Sequence, residues 1–140
     1  MRLILPKLNK YGWNHRVLTE EDFESFCEQD GVLYLEMKMK WDGIYLVRQL
    51  PVIGVNTGIK GINRTIVKWH EMAHHWLHVP DSRFFRYGNV DKSEYEAHVV
   101  AACALIPAPM LKNLWSLQEE YGYPKDLIHF RYSIHSCYGF

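Results

Sequence analysis

The sequence has no surplus of charge of either sign: 16 Lys and Arg stand against 16 Asp and Glu in 140 residues. Proteins that hold a phosphate backbone do so mainly with excess cations, so direct nucleic-acid binding is not expected. Cysteine is scarce. Cys27, Cys103 and Cys137 are odd in number, widely spaced and form no CxxC pair, which argues against a disulfide framework and for reduced thiols in a cytoplasmic protein. No uninterrupted apolar run approaches the roughly 18 residues of a membrane span. The longest, Ala97 to Leu111, is broken by His98, Pro107 and Pro109. The start, Met1-Arg2-Leu3-Ile4-Leu5-Pro6-Lys7, is too short an apolar stretch for a secretory leader. Repeats, linkers and low-complexity segments are also missing, so residues 1–140 read as one domain.

What is present is an ordinary globular composition, 48% hydrophobic and 23% charged, long enough to bury a core unaided. Thr19 is an expected N-cap, followed by Glu20, Glu21 and Asp22 at the positive end of the helix dipole. Leu18 and Phe23 are spaced as a hydrophobic staple, and Asp30-Gly31 should end that helix. Leu33, Leu35, Met37, Met39 and Trp41 then alternate with Tyr34, Glu36, Lys38 and Lys40, the period of a half-buried strand. Asp42-Gly43 predicts a hairpin turn into Ile44-Tyr45-Leu46-Val47, and Val52-Ile53-Gly54-Val55-Asn56 supplies a third strand. Together they predict a small antiparallel three-stranded sheet. From about Asn63 onward the pattern is helical: about Arg64 to His78, Ser93 to Ile106, a helix opened by Pro109 that ends before Gly122, and one from about Pro124 towards Ser136. Strands followed by helices make an α+β domain, with Trp69, Trp76 and Trp115 expected in its core.

Eight histidines are the unusual entry, and their placement matters more than their number. His70-Glu71-Met72-Ala73-His74 reads HExxH within a helical segment. Residues four apart share one helix face, so both imidazoles can point at one metal ion while Glu71 reaches a water beside it. Random placement in this composition would give the pattern roughly 0.03 times. A catalytic zinc takes three protein ligands and keeps a position for water. Among the downstream acids, Glu94 shares a stripe with Ala97, His98, Ala101, Ala102 and Leu105, whose alanines let a neighbouring helix approach. Glu96 lies on the bulkier face with Val99, Val100 and Cys103, and Ser93-x-x-Glu96 also reads as a capping box. Asp91 offers a competing role for Glu94, as the third residue of a capped helix. His98, one turn beyond Glu94, is placed to hold the outer ring nitrogen of His70 or His74, as bound histidines require. It reads almost equally well as a core histidine. His75 and His78 are expected to pack or to face solvent.

The block from His70 to His78 resembles the ImmA/IrrE family of zinc metallopeptidases, and so does Glu94-Tyr95-Glu96-Ala97-His98-Val99-Val100-Ala101-Ala102-Cys103-Ala104-Leu105-Ile106-Pro107. The family's second block runs roughly E-x-x-A-N-x-F-A-A-x-L-L-M-P, and the chain follows it without a gap. His98 stands where the family has Asn or Asp, and Val100 and Ala104 stand where it has Phe and Leu. The likeness extends over about Ile44 to Pro107, with a looser one in the tail, residues 127–134. It implies a sheet packed on a zincin-like helical domain; many members also carry a DNA-binding helix-turn-helix or a longer sensory tail, for which these 140 residues are expected to leave no room. It also implies one Zn2+ held by His70, His74 and Glu94, with Glu71 as general base. The implied activity is a bacterial or phage endopeptidase that cleaves a helix-turn-helix repressor encoded nearby. His75, Tyr87, His129 and Tyr132 are the available donors for the oxyanion. A non-catalytic, zinc-stabilised module binding a regulatory partner is the competing expectation, and it would need a fourth protein ligand.

Overall fold

A computed structural model describes residues 8–79, 81–84 and 91–140. The fold is α+β. Helix α1 (Glu20–Asp30) is followed by β1 (Leu33–Met37), β2 (Gly43–Val47) and β3 (Pro51–Asn56), then α2 (Gly61–Trp76), β4 (Asp81–Phe84) and α3 (Lys92–Leu105). Two short turns, Ala108–Lys112 and Ser116–Glu120, lead to α4 (Lys125–Tyr138). Among the described residues no helix is long and apolar enough to cross a membrane.

Helix α1 starts and stops where its sequence places the caps. The Thr19 hydroxyl accepts from the Asp22 N–H at 3.3 Å, and Asp22 Oδ2 accepts from the Thr19 N–H at 2.7 Å. Arg16 grips the same carboxylate at 2.7 and 2.9 Å. Gly31 closes the helix at φ 66°, a left-handed position that suits glycine. Leu18 and Phe23 are both buried against the core.

The sheet differs from the expected three antiparallel strands. Among the described residues it has four strands in the order β1-β3-β2-β4, with β1 parallel to β3 and β2 antiparallel to both β3 and β4. Asp42-Gly43 is not a hairpin between β1 and β2. Residues 38–42 instead carry the chain past the end of β3, where Asn56 Nδ2 donates to the carbonyls of Met39 and Trp41 at 2.7 and 3.0 Å. The Asp42 N–H bonds the Phe84 carbonyl at 2.9 Å. The hairpin joins β2 to β3, with Val47 opposite Pro51.

This topology reverses the expected faces of β1. Pairing Leu33 with Val52 and Tyr34 with Ile53 puts Tyr34 on the side that the helices cover. There its ring meets Phe23 edge to face, centroids 5.4 Å apart. Leu33, Leu35 and Met37 therefore point outward and stay exposed, as an outermost strand with one covered face allows. The covered face carries Ile53, Val55, Tyr45, Ser82 and Phe84, all buried.

Helix α2 packs against β2, β3 and α3, and every residue from Val67 to His74 is buried. Strand β4 was not expected within a helical half. Four alternating residues are too few to show a period, and the free edge of β2 is what organises them. The helix expected to open at Pro109 is instead a 3-10 turn followed by a π turn. Pro107 caps the first turn and Pro109 is its second residue, and the Asn113 side chain accepts from the Ser116 N–H at 3.2 Å. Trp115 is consequently 62% exposed and not a core residue, whereas Trp69 is buried and Trp76 packs at the core's margin. Arg131 of α4 is buried beneath this region. Its Nε donates to the Ile106 carbonyl at 2.6 Å, and Nη2 donates to Asn14 Oδ1 and the Phe140 carbonyl at 2.8 Å each.

Candidate metal centre

His70 and His74 project from one face of α2 towards α3, as i and i+4 residues must. Asp91 caps α3 by accepting from the Glu94 N–H at 2.8 Å, and Ser93 Oγ donates to that same Asp91 carboxylate at 3.2 Å. The capping box from Ser93 to Glu96 therefore does not form, and Asp91 does make Glu94 the third residue of the helix. The two roles of Glu94 are compatible, because the cap uses only its backbone N–H. Its carboxylate is free to face α2. Ala97, Ala101 and Ala102 are buried where the two helices meet, so the alanine stripe admits the close approach expected of it. Glu96 instead lies 3.9 Å from Lys92.

The carboxylate and the two rings converge. His70 Nε2 lies 2.7 Å from Glu94 Oε2, His74 Nε2 lies 3.0 Å from Glu94 Oε1, and the two Nε2 atoms are 3.1 Å apart. One ligand atom from each residue fits within 4.8 Å of the others. Two ring nitrogens 3.1 Å apart that face the same carboxylate crowd any protons they carry against each other. A cation takes all three lone pairs at once. Ligands about 2.05 Å from a tetrahedral zinc lie about 3.3 Å from one another, so this cluster needs only a slight expansion to take one. Burial holds the His70 imidazolium down to about 3, against which the Glu94 hydrogen bond works only partly. The neutral ring that results is the form that binds a metal. Burial also raises Glu94, but the hydrogen bonds from His70 and then His74 outweigh it and keep the carboxylate ionised far below its ordinary range.

Glu71 is the other unusual group. It is fully buried, and neither carboxylate oxygen has a hydrogen-bond partner among the described residues. Burial first, then the neighbouring Glu94 charge, pushes its pKa well above the usual carboxylate range. Nδ1 of His70 and Nδ1 of His74 are likewise buried without partners among the described residues. A carboxyl stranded in this way costs stability, and such groups concentrate where chemistry is done. The donor set, the spacing and the stranded carboxyl all fit a zinc-type ion.

His98 does not hydrogen-bond either histidine in the described contacts. Its ring rests against that of His70, centroids 4.5 Å apart, and lines a hollow of ≈ 430 Å³ with Tyr95, Asp126, Leu127 and Phe130. His75 packs as expected: Nδ1 meets the Tyr45 hydroxyl at 2.9 Å and Nε2 meets Asp30 at 2.8 Å. His78 faces solvent. His129 and Tyr132 line a different hollow with Leu114 and Gln118, and Tyr132 donates to the Leu111 carbonyl at 2.5 Å. Tyr87 lies outside the described residues.

Three sheet residues at the centre carry no signal in the sequence. Ser82 Oγ donates to Glu94 Oε1 at 2.9 Å. Phe84 stacks on the His70 ring, centroids 3.9 Å apart and planes 22° apart. Gly43 leaves room for Glu71: a Cβ there would lie 2.6 Å from Val67 Cγ1 and 3.0 Å from Glu71 Oε1. Each lies far along the chain from the group it touches, or on an element too short to read.

The family model for the IrrE N-terminal-like domain, peptidase family M78, matches residues 27–132. The chain belongs to that family. As an M78 metallopeptidase domain it carries its HExxH histidines on α2 and the glutamate that joins them on α3. No curated protein and no solved structure matches it.

Proposed function

We propose that this M78 domain is a zinc-dependent endopeptidase in which His70, His74 and Glu94 hold the ion and Glu71 is the general base. The observation that carries the proposal is the Glu71 carboxyl, which is fully buried and unpartnered among the described residues beside a three-ligand cluster. Zinc in such a cage supplies Lewis acidity, polarising the scissile carbonyl and bringing the pKa of water to about 7. Glu71 accepts the proton of the attacking water as its oxygen adds to the carbonyl carbon. It then gives that proton to the departing amide nitrogen as the C–N bond breaks. A raised pKa suits the second half of that cycle, since the group must hold its proton before it delivers it.

Among the described residues strand β4 is an outermost strand of the sheet, and Ser82 and Phe84 on its covered face touch Glu94 and His70. A substrate segment paired to the open edge of β4 would run past the ligands in extended form. The hollow beside His98, walled by Tyr95, Leu127 and Phe130, is suited to one apolar side chain of that segment. The substrate class we carry from the family resemblance is a helix-turn-helix repressor encoded beside the peptidase in a bacterial or phage genome. The competing interaction-module reading lacks support, because the cluster has three members among the described residues and Cys103 is buried elsewhere.

The test is the purified chain and its Glu71→Gln variant, assayed for bound zinc and for cleavage of the repressor encoded beside it. The variant keeps zinc and loses cleavage by about 10²–10⁴-fold. Cleavage at the full rate by the variant would remove Glu71 from the mechanism.

A further inference from the structure

The third ligand comes from a helix other than the one that carries the histidines, on a side chain with three rotatable bonds. Its backbone cap to Asp91 fixes where α3 begins and says nothing about where the carboxylate points. A second contact does that. Ser82 is 8% exposed and lies opposite Tyr45 in the β2–β4 pairing, on the face of the sheet turned towards the helices. Its hydroxyl donates to Glu94 Oε1 at 2.9 Å, while Oε1 also stands 3.0 Å from His74 Nε2 and Oε2 stands 2.7 Å from His70 Nε2. Two residues further along the strand, Phe84 lies flat against the His70 ring. Successive covered residues of one four-residue strand thus touch ligands from two different helices.

We propose that Ser82 is a positioning residue for the metal centre: by donating to Oε1 of Glu94 it fixes the carboxylate rotamer and keeps the carboxylate turned towards His70 and His74. The inference rests on the zinc reading above and adds the cause of the ligand geometry. A carboxylate free to rotate can offer both oxygens to the ion or swing towards solvent. One whose Oε1 is already engaged by a buried hydroxyl is held in one orientation, facing the two histidines. Partners of this kind around a ligand are worth about 10–100-fold in metal affinity. The distance between α3 and the histidines is then set by the sheet as well as by the packing of the two helices.

The experiment compares the full chain with Ser82→Ala and Ser82→Thr by zinc competition against a chromophoric chelator, with the visible spectrum of the cobalt-substituted proteins as a second readout. Ser82→Ala weakens zinc by about 10–100-fold and shifts the cobalt bands towards the weaker absorption of a higher coordination number. Ser82→Thr, which keeps the hydroxyl, restores both. Ser82→Cys, nearly the same size with a weak donor, stands in for the alanine variant if that one folds poorly, and falls between the two. Zinc affinity and cobalt bands in Ser82→Ala equal to those of the unaltered chain overturn the inference, as does equal loss in Ser82→Ala and Ser82→Thr. An unaltered chain that takes up no zinc overturns the zinc reading and this inference together, a result distinct from unchanged affinity in the variants.

Discussion

Two clusters of buried polar groups lie in this molecule, and they are built on opposite terms. Around Arg131 the chain supplies the partners itself: the Ile106 and Phe140 carbonyls and the Asn14 side chain take three of its N–H groups, leaving Nη1 as the atom without one among the described residues. Around His70 and His74 the chain withholds them. Both oxygens of Glu71 and two ring nitrogens are buried and unpaired among the described residues, and two further ring nitrogens crowd one carboxylate. The first arrangement ties the tail, α4 and the 3-10 turn region to the core. The second gives up stability to hold a His-His-Glu cluster of the kind that can take a metal ion. Buried polar groups that are satisfied hold a fold together, whereas those left unsatisfied mark where it does chemistry.

The comparison can be broken from either side. Arg131→Ala has the largest expected effect on stability. It removes the donors to the Ile106 carbonyl, Asn14 Oδ1 and the Phe140 carbonyl and opens a cavity, costing about 3–5 kcal/mol and lowering Tm by about 10 °C, measured by thermal denaturation of the metal-free protein. A loss under about 1 kcal/mol would mean that those bonds are exchangeable for water.

At the other cluster the sign reverses on adding the missing partner. Zinc at a hundredfold excess over its Kd raises stability by about 2.7 kcal/mol, seen as a thermal shift that His74→Ala abolishes. An equal shift in that variant would place zinc elsewhere.

Gly43→Ala sharpens the picture at Glu71. The added methyl meets Val67 Cγ1 and Glu71 Oε1, so cleavage falls about tenfold, equivalent to about 1.4 kcal/mol of transition-state stabilisation, while zinc uptake is kept. Combining it with Val67→Ala removes the tighter contact. If the rate then returns in full, the Val67 clash was the cause and Glu71 is not held by Gly43.

The smallest effect lies outside both clusters. Arg16 holds the Asp22 carboxyl down at about 2, with the Thr19 N–H and hydroxyl assisting and burial opposing. A depressed folded pKa gives stability that is present above the ordinary value and is lost as pH falls through the folded one. Because Arg16 is half exposed, the ion pair itself adds little, and most of the effect is the cap. Asp22→Ala therefore costs about 1 kcal/mol at pH 7, a difference that shrinks as pH falls from about 4 to about 2. A difference that persists undiminished at pH 2 would assign it to helix propensity instead.

The caps of α1, the HExxH face and the alanine stripe that selects Glu94 are local facts. A helix repeats every 3.6 residues whatever surrounds it, so the residues sharing a face can be counted along the chain. Strand partners cannot be counted in the same way. The alternation of Leu33, Leu35 and Met37 is real, yet which face it lines depends on β3 lying beside β1 and on α1 and α2 covering the Tyr34 side. Trp115 reads as core by composition and is exposed in the turn where the Asn113 side chain accepts from the Ser116 N–H.

By itself the sequence determined which residues could bind a metal, since that follows from side-chain chemistry and helical spacing within two short segments. Only the tertiary structure decided how they are aimed. Ser82 lies 12 residues from Glu94, and Gly43 reaches Glu71 across the β2–α2 contact. Those meetings exist because a mixed sheet inserts β3 between β1 and β2 and recruits β4 to the free edge of β2. Pairing between distant segments is a property of the whole packed chain, and no local period encodes it.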